Sequence, residues 1–416
     1  MTEPVRWRPS PLTLSLATAS ATALALALIG RRPELIAFAA PLLGALAGGC
    51  CRVRPASHIT LRPEQETQRC FENEVVAIRV HAHSEGMCDE ISLRPLLPPG
   101  LELISGETVH SGPATEWQIR ATRWGRFSIS VEITARTAGG LVTATLRAEA
   151  GEIRVYPKPA PLTVSPRPAS LPDRIGVHIG RRRGEGVEFA AIRPYVAGDP
   201  LGQVNWPVSA RLGRLHVTER LAERATDVVA LVDTYPVADP DQACLDLAVH
   251  GAAEIVQAAL RRGDRAGVLA LGGGMRWLGP DVGRRQFYRI ADAVLDATAA
   301  PPSFRPSGGR LPRAALPPHA CVVAFTPLLD ARVGLALQDV RGRGHATLVV
   351  DVLREPPAGG EPDPMAERLW RLERRGLHRD LASVGIPVVP WGEWSTLDEV
   401  LYPLARRPLQ SGRPPR

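Results

Sequence analysis

The sequence predicts a multi-domain chain: an N-terminal transmembrane helical hairpin, a small β-sandwich and then an α/β doubly wound domain. Three observations carry this. Two apolar runs, Leu12 to Ile29 and Leu35 to Cys51, stand close together near the N-terminus. Hydrophobicity then alternates with a period of two between Ile59 and Tyr156, the mark of half-buried strands. Beyond Asp227, buried-type strands take turns with helical stretches. A chain of 416 residues has room for two or three domains, each with a core of its own. The expected divisions are a membrane hairpin over 1–54, a β-sandwich over 55–157, a proline-rich linker over 158–183, a distinctive segment over 184–225, the α/β domain over 226–408 and a tail over 409–416.

The apolar runs read as helices over about 12–29 and 35–51, near the lower limit of length for crossing a bilayer. One such run behind Arg6 and Arg8 would read as a signal peptide. A second run, directly across Gly30-Arg31-Arg32-Pro33-Glu34, argues for a hairpin instead. Gly44, Gly48 and Gly49 let the two helices pack closely. Arg6, Arg8, Arg52 and Arg54 flank the outside of the hairpin, against Arg31 and Arg32 in its loop, so the count of basic residues places both ends in the cytoplasm. The expectation is a two-helix protein of the cell membrane with a cytoplasmic C-terminal domain.

In the β region Val76-Ile78-Val80, Trp117-Ile119-Ala121 and Phe127-Ile129-Val131-Ile133 alternate with polar neighbours. Pro98-Pro99-Gly100, Trp124-Gly125 and Ala138-Gly139-Gly140 punctuate them, giving about six short strands and a small sandwich. His81 and His83 share a strand face, but no third ligand stands near enough in sequence to make a metal site. The six cysteines (Cys50, Cys51, Cys70, Cys88, Cys244, Cys321) contain no C-x-x-C pair, which leaves buried thiols as the reading.

Tyr156 to Pro172 is rich in proline and reads as an extended, semi-rigid crossing, with Arg181-Arg182-Arg183 close behind. The net charge of +7 comes almost wholly from arginine, Lys158 being the lone lysine. Arginines and acids interleave through most of the chain rather than gathering on one basic stretch, which argues against nucleic acid as a partner.

In the last part the expected strands are Asp227 to Asp233, Ala266 to Leu271, Ala320 to Phe325, Ala346 to Val352 and Ile386 to Pro390. The expected helices are Ala243 to Arg262, Arg284 to Thr298, Ala331 to Val340, Met365 to Val384 and Thr396 to Ala405, with a hairpin through Gly272-Gly273-Gly274 to Trp277. Strand and helix in turn imply a parallel sheet with right-handed crossovers and helices on both faces.

Between the β region and this domain lies Gly184 to Val217, GEGVEFAAIRPYVAGDPLGQVNWPVSARLGRLHV. Gly184-Glu185-Gly186 and Ala197-Gly198-Asp199-Pro200 read as two bends with an extended stretch from Val187 to Tyr195 between them. Tyr195 and Trp206 are expected to bury large apolar bodies, and Arg193 and Arg211 offer forks to carboxylates. Two readings stand side by side. Glu188 and Asp199 pair with Arg193 and Arg211 in an internal network, or the segment docks a partner.

The order Gly-Glu-Gly-x-Glu-Phe, Arg-Pro-Tyr, Gly-Asp, Asn-Trp, Ser-Ala-Arg and Gly-Arg-Leu resembles the signature of the bacterial domain-of-unknown-function-58 family. Gly202 stands where that resemblance would place an arginine. The resemblance implies a von Willebrand factor A-like (Rossmann-type) α/β domain and, as partner, a MoxR-type AAA+ ATPase. It implies a partner-binding role for Glu188, Phe189, Arg193, Tyr195, Gly198, Asp199, Asn205, Trp206, Ser209 and Arg211.

An intact domain of that type holds a divalent cation with Asp-x-Ser-x-Ser after the first strand, a later threonine and an aspartate after the fourth strand, oxygen ligands suited to Mg²⁺. Here the positions are Asp233, Tyr235 and Val237, and the fourth strand ends Thr326-Pro327. One carboxylate does not hold the ion, so the cation site reads as degenerate, with Asp233 hydrogen-bonding the turn that follows and Asp239 or Asp330 the candidates to compensate. No phosphate-binding loop, nucleophile elbow or H-E-x-x-H motif is visible, and Ser209 has no identifiable base. The expected function is therefore a membrane-anchored, non-enzymatic adaptor without cofactor or metal. A cation-dependent binding protein and an envelope hydrolase are its rivals.

Overall fold

The computed structural model describes residues 6–51, 58–86, 88–106, 109–112, 114–164, 178–224, 226–235, 243–272, 275–298, 311, 315–353, 364–392, 395–405 and 409, except the side chains of 50, 51, 110, 111, 178–190 and 219–224. The chain divides into two compact units, 1–156 and 157–416.

The first unit opens with helices α1 (Pro11–Ile29) and α2 (Glu34–Cys51). Ser10 caps α1, its hydroxyl accepting from Thr13 N at 3.3 Å, and proline occupies the first turn, where a missing N–H costs nothing. Serine and threonine along α1 return their hydroxyls to carbonyls one turn back, Thr18 to Leu14 at 2.9 Å and Ser20 to Leu16 at 2.7 Å, so an apolar surround finds no unmet donor. α1 is long and apolar enough to cross a membrane, with mean hydropathy 1.9, and leaves Leu14, Leu26, Leu28 and Ile29 exposed. A signal sequence near an N-terminus meets the same test of length and composition.

The strands of this unit are β1 (Arg8–Pro9), β2 (His58–Pro63), β3 (Thr67–Phe71), β4 (Val75–Glu85), β5 (Glu90–Leu96), β6 (Leu101–Ser105), β7 (His110–Ser111), β8 (Ala114–Ala121), β9 (Gly125–Thr137) and β10 (Val142–Tyr156). They form a four-stranded sheet, β2-β4-β8-β6, and a six-stranded one, β1-β10-β9-β5-β7 with β3 on β10. Trp117, Ile119, Leu93, Ile129, Val131 and Ile133, from both sheets, share one core. The strands outnumber the half-dozen expected, and β9 and β10 run 13 and 15 residues. The shortest, β1 and β7, have two residues each, too few to show a period.

The second unit is built on a six-stranded sheet of β13 (Asp227–Thr234), β14 (Arg265–Gly272), β15 (Arg276–Asp281), β16 (Cys321–Thr326), β17 (Ala346–Asp351) and β18 (Val388–Pro390), preceded in the chain by a separate ribbon, β11 (His178–Pro194) and β12 (His216–Arg224). Helix α3 (Trp206–Leu212) lies between the ribbon strands; α4 (Ala243–Arg261), α5 (Arg284–Thr298), α6 (Ala331–Gly342), α7 (Pro364–Ser383) and α8 (Leu397–Ala405) follow. The sheet order is β15-β14-β13-β16-β17-β18, all neighbours parallel except the edge pair β14 and β15. The order reverses between β13 and β16, as in doubly wound sheets, and the strands are apolar on both sides.

Val229, Leu231, Val322, Ala324 and Val349 pack with α6 and α7 on one face. On the other face Gly251 of α4 comes so near Phe325 and Trp391 that an added Cβ would lie 2.4 Å from the phenyl ring. α4 passes a length-and-hydropathy test for a span, but ten of its residues are buried and it serves as the core helix here.

Two sequence expectations change in this unit. Gly184-Glu185-Gly186 does not end a strand: β11 runs through it, with the register slipping between Gly184 and Phe189 opposite β12, a bulge of the kind glycine permits. Arg181-Arg182-Arg183 likewise fall on β11. Of the proline-rich stretch, residues 157–164 are fastened to the unit's own helices. The Asp398 carboxylate accepts from Thr163 N at 2.8 Å, Thr163 Oγ1 at 2.5 Å and Val164 N at 2.7 Å, and Arg262 donates to Thr163 O. These bonds hold the Asp398 carboxyl below the usual range even though burial acts the other way as the largest single influence.

Candidate functional site

In a doubly wound sheet the place for a ligand is the crevice outside the carboxyl ends of the strands where the order reverses. Asp233, next to last in β13, and Thr326 and Asp351, which end β16 and β17, lie there. Thr326 pairs with Asp351 in the ladder, and all three lie in the alternation of the α6/α7 face. They are 4 %, 0 % and 3 % exposed.

Each oxygen of the Asp233 carboxylate accepts one hydrogen bond. Its Oδ1 accepts from Tyr235 N at 3.0 Å and its Oδ2 from Thr326 Oγ1 at 2.6 Å, while Thr326 Oγ1 accepts from Leu328 N at 2.9 Å. Burial is the largest influence on Asp233 and raises its pKa to about 6, against the opposing hydrogen bonds. Arg332, at the start of α6, lies over the Tyr235 ring at 4.1 Å and is forked onto Asp330, the N-cap of the same helix, at 2.5 Å.

Next to it, Asp351 is held by α7. Arg374 donates to both its oxygens, with Nε at 3.0 Å, and His378 Nε2 lies 2.8 Å away. Arg374 also donates to the carbonyls of Pro327 and Leu328, so one guanidinium fastens α7 across the ends of β16 and β17.

At this rim each Asp233 oxygen accepts one hydrogen bond from the chain itself, and the guanidiniums of Arg332 and Arg374 bring positive charge. Among the described residues no three His, Cys, Asp or Glu side chains converge as a metal site. Val237 and Asp239 lie outside the described residues. The partnership of Asp351 with Arg374 and His378 escaped the sequence reading. Its available signal was an aspartate ending the apolar run Thr347 to Val350, then Arg374 and His378 one helical turn apart.

The distinctive segment forms a knob at the tip of the β11–β12 ribbon. Tyr195 N donates to Leu215 O at 2.9 Å and Asn205 N to His216 O at 2.8 Å, which closes residues 195–215 into a compact excursion. Asp199 takes a two-pronged ion pair from Arg193, at 2.6 and 2.7 Å, and a bond from Val196 N at 2.8 Å. Those bonds, Arg193 first, hold its carboxyl down at about 2. Gly198 turns the loop at φ 108°, a conformation side chains rarely adopt.

Asn205 caps α3, its Oδ1 accepting from Val208 N at 3.2 Å and its Nδ2 donating to Thr218 Oγ1 at 3.1 Å. Ser209 is buried and structural: its hydroxyl donates to Asn205 O at 2.7 Å and accepts from His216 N at 2.8 Å. Gly213, at φ 66°, ends the helix.

The internal network expected from the sequence is present for Arg193 and Asp199. Glu188 and Phe189 lie on β11 with side chains outside the description, and Arg211 is exposed without an ion pair among the described residues. Trp206, expected inside, is 63 % exposed. Among the described residues of this small excursion and the strand start behind it, only Val204, Ser209, His216 and Val217 are buried, so the two-turn helix covers little for an indole to join. Val196, Leu201, Leu212 and Leu215 are exposed as well, while Tyr195 is half-buried. The Gly202 position faces open space.

A family model described as "Protein of unknown function DUF58" matches residues 191–356, from the knob through β17. Uncharacterized proteins of Mycobacterium bovis and of two Mycobacterium tuberculosis strains are 31 % identical over 134 residues, 31 % of this chain and 42 % of theirs. The matched part of the chain thus spans less than half the length of those relatives. Among solved structures, domains 4 and 5 of the S-layer protein SbsC match 23 % of this chain and 50 % of theirs, at 8 % identity and a TM-score of 0.18. A conjugative transposon lipoprotein of Bacteroides eggerthii matches 22 % of this chain and 94 % of its own, at 12 % identity and a TM-score of 0.18.

Proposed function

We propose that this chain is a membrane-anchored, non-enzymatic adaptor whose knob docks a partner protein in the assembly or activation of other proteins at the cell envelope. The observation that carries the reading is the knob itself: five large apolar side chains, Trp206 among them, held outward on a frame fixed by the Arg193–Asp199 fork and the Asn205 cap. Exposed apolar side chains gathered on one excursion are characteristic of protein recognition, where tryptophan and arginine dominate the binding energy.

Resemblance to the family names the partner as a MoxR-type AAA+ ATPase and the α/β half as von Willebrand A-like. The strand order and its antiparallel edge support the second point. The rim supports an adaptor rather than a cation-dependent binder, because its acids are satisfied from within the chain. Anchorage rests on α1 and α2, and a cytoplasmic C-terminal half on the arginines that flank them.

The test is co-purification of the full chain from its own membranes. The ATPase is expected to accompany the unaltered chain and to be lost with Trp206→Ala, which removes the indole that is 63 % exposed. Equal recovery with that variant and with Arg193→Asp would remove the knob from the mechanism.

A further inference from the structure

The distribution of side chains around α3 says what kind of surface receives the knob. At about 100° per residue, Trp206 and Leu212 fall about 60° to either side of the inward-facing Ser209, and Arg211 falls almost opposite it. The helix therefore presents an arginine along its crest and an apolar group on each flank. Trp206 and Leu212 are 63 % and 56 % exposed, and Leu201 and Leu215, on the chain entering and leaving the helix, are exposed too.

Charge adds a second constraint. Between residues 195 and 215 the only acid is Asp199, and the Arg193 fork neutralises it. Arg211 and Arg214 are exposed, with no ion pair among the described residues. Among the described residues the outward charge of the knob is thus positive, with no acid paired to it.

A flat surface does not meet both flanks of a helix together with its crest. A cleft does, and its chemistry follows from complementarity: apolar lips against Trp206 and Leu212, a carboxylate on the floor against Arg211 and another at the exit against Arg214. We propose that the knob inserts α3 into an acid-floored, apolar-lipped cleft of the partner protein. This rests on the docking reading above and gives the partner surface its chemistry. A bilayer with anionic headgroups shares the charge but not the concave shape.

The experiment places a photo-crosslinking benzoylphenylalanine at position 206, or at 210 beside Arg211, where Ala210 is exposed, in the full chain in native membranes, and sequences the adducts. Both positions are expected to label one protein, with the 210 adduct on a peptide carrying aspartate or glutamate. In the 206-labelled chain Arg211→Glu is expected to cut the yield by about tenfold or more, while Arg211→Lys retains most of it.

A protein adduct at 206 that persists unchanged with Arg211→Glu overturns the acidic floor and leaves the docking reading in place. Adducts to lipid at both positions overturn the cleft in favour of the membrane surface. No adduct at either position, from a chain whose thermal unfolding matches the unaltered one, removes docking at the knob altogether.

Discussion

Asp233 illustrates how a single buried acid sets a pH profile. Its pKa is raised from 3.8 to about 6, so the folded chain holds the proton more tightly than the unfolded one. The sign follows: the site favours folding most below about pH 4, and that contribution is lost as the pH rises through about 6. At about 1.4 kcal/mol per pH unit the loss is on the order of 2–3 kcal/mol. Asp233→Asn is expected to flatten this part of the stability curve between pH 4 and 6, read as melting temperature against pH. A slope left unchanged assigns it to other groups. At Asp199 the sign is opposite. Its pKa is lowered to about 2, so the Arg193 pair stabilises the knob above about pH 4 and is lost as the pH falls towards 2. Arg193→Asp and Asp199→Arg are each expected to loosen residues 195–215 towards protease, and the double exchange to restore part of the protection.

Among the elements, α7 shows most clearly what a sequence conceals. It is exposed along most of its length, with Leu381 its one buried residue, yet Arg374 fastens it to Asp351 with the pair 10 % and 3 % exposed. Removing one member strands a buried charge, so Arg374→Met is expected to cost about 3–5 kcal/mol in chemical denaturation. His378, at 2.8 Å, moderates that figure by keeping one partner on Asp351. The helix was legible from its period, and so were the apolar strands of the sheet, because packing against a sheet enforces spacing. The latch was not. Asp351 and Arg374 lie 23 residues apart and meet only because the crossover from β17 to β18 brings α7 back to the end of β17. Trp206 was misread for a related reason: its size implies burial only where enough chain surrounds it. The segment over residues 157–164 gives a simpler test. Asp398→Ala removes the acceptor of three bonds and is expected to open that stretch to limited proteolysis while the sheet keeps its melting temperature.

For the whole molecule, the adaptor proposal turns on which side of a membrane holds the α/β half. Under that proposal a cytoplasmic ATPase reaches the knob only from within, so a reporter fused after Arg416 is expected to be active in the cytoplasm and silent outside. The reverse pattern sinks the adaptor reading whatever the knob binds. The order of the segments was legible because each obeys a different period: continuous apolarity, alternation by two, and alternation of strand with helix. The bulge in β11 was not, since two glycines around an acid specify a turn and a bulge equally well.

The ribbon that carries the knob has only two strands, with no third strand beside it among the described residues. Two strands alone are barely stable in water. Hydrogen exchange along His178–Pro194 and His216–Arg224 should therefore outrun that of the central sheet at rest, and slow sharply once the tip is gripped. The stalk would then be soft when idle and stiff under load, so occupancy at one end is felt along its whole length.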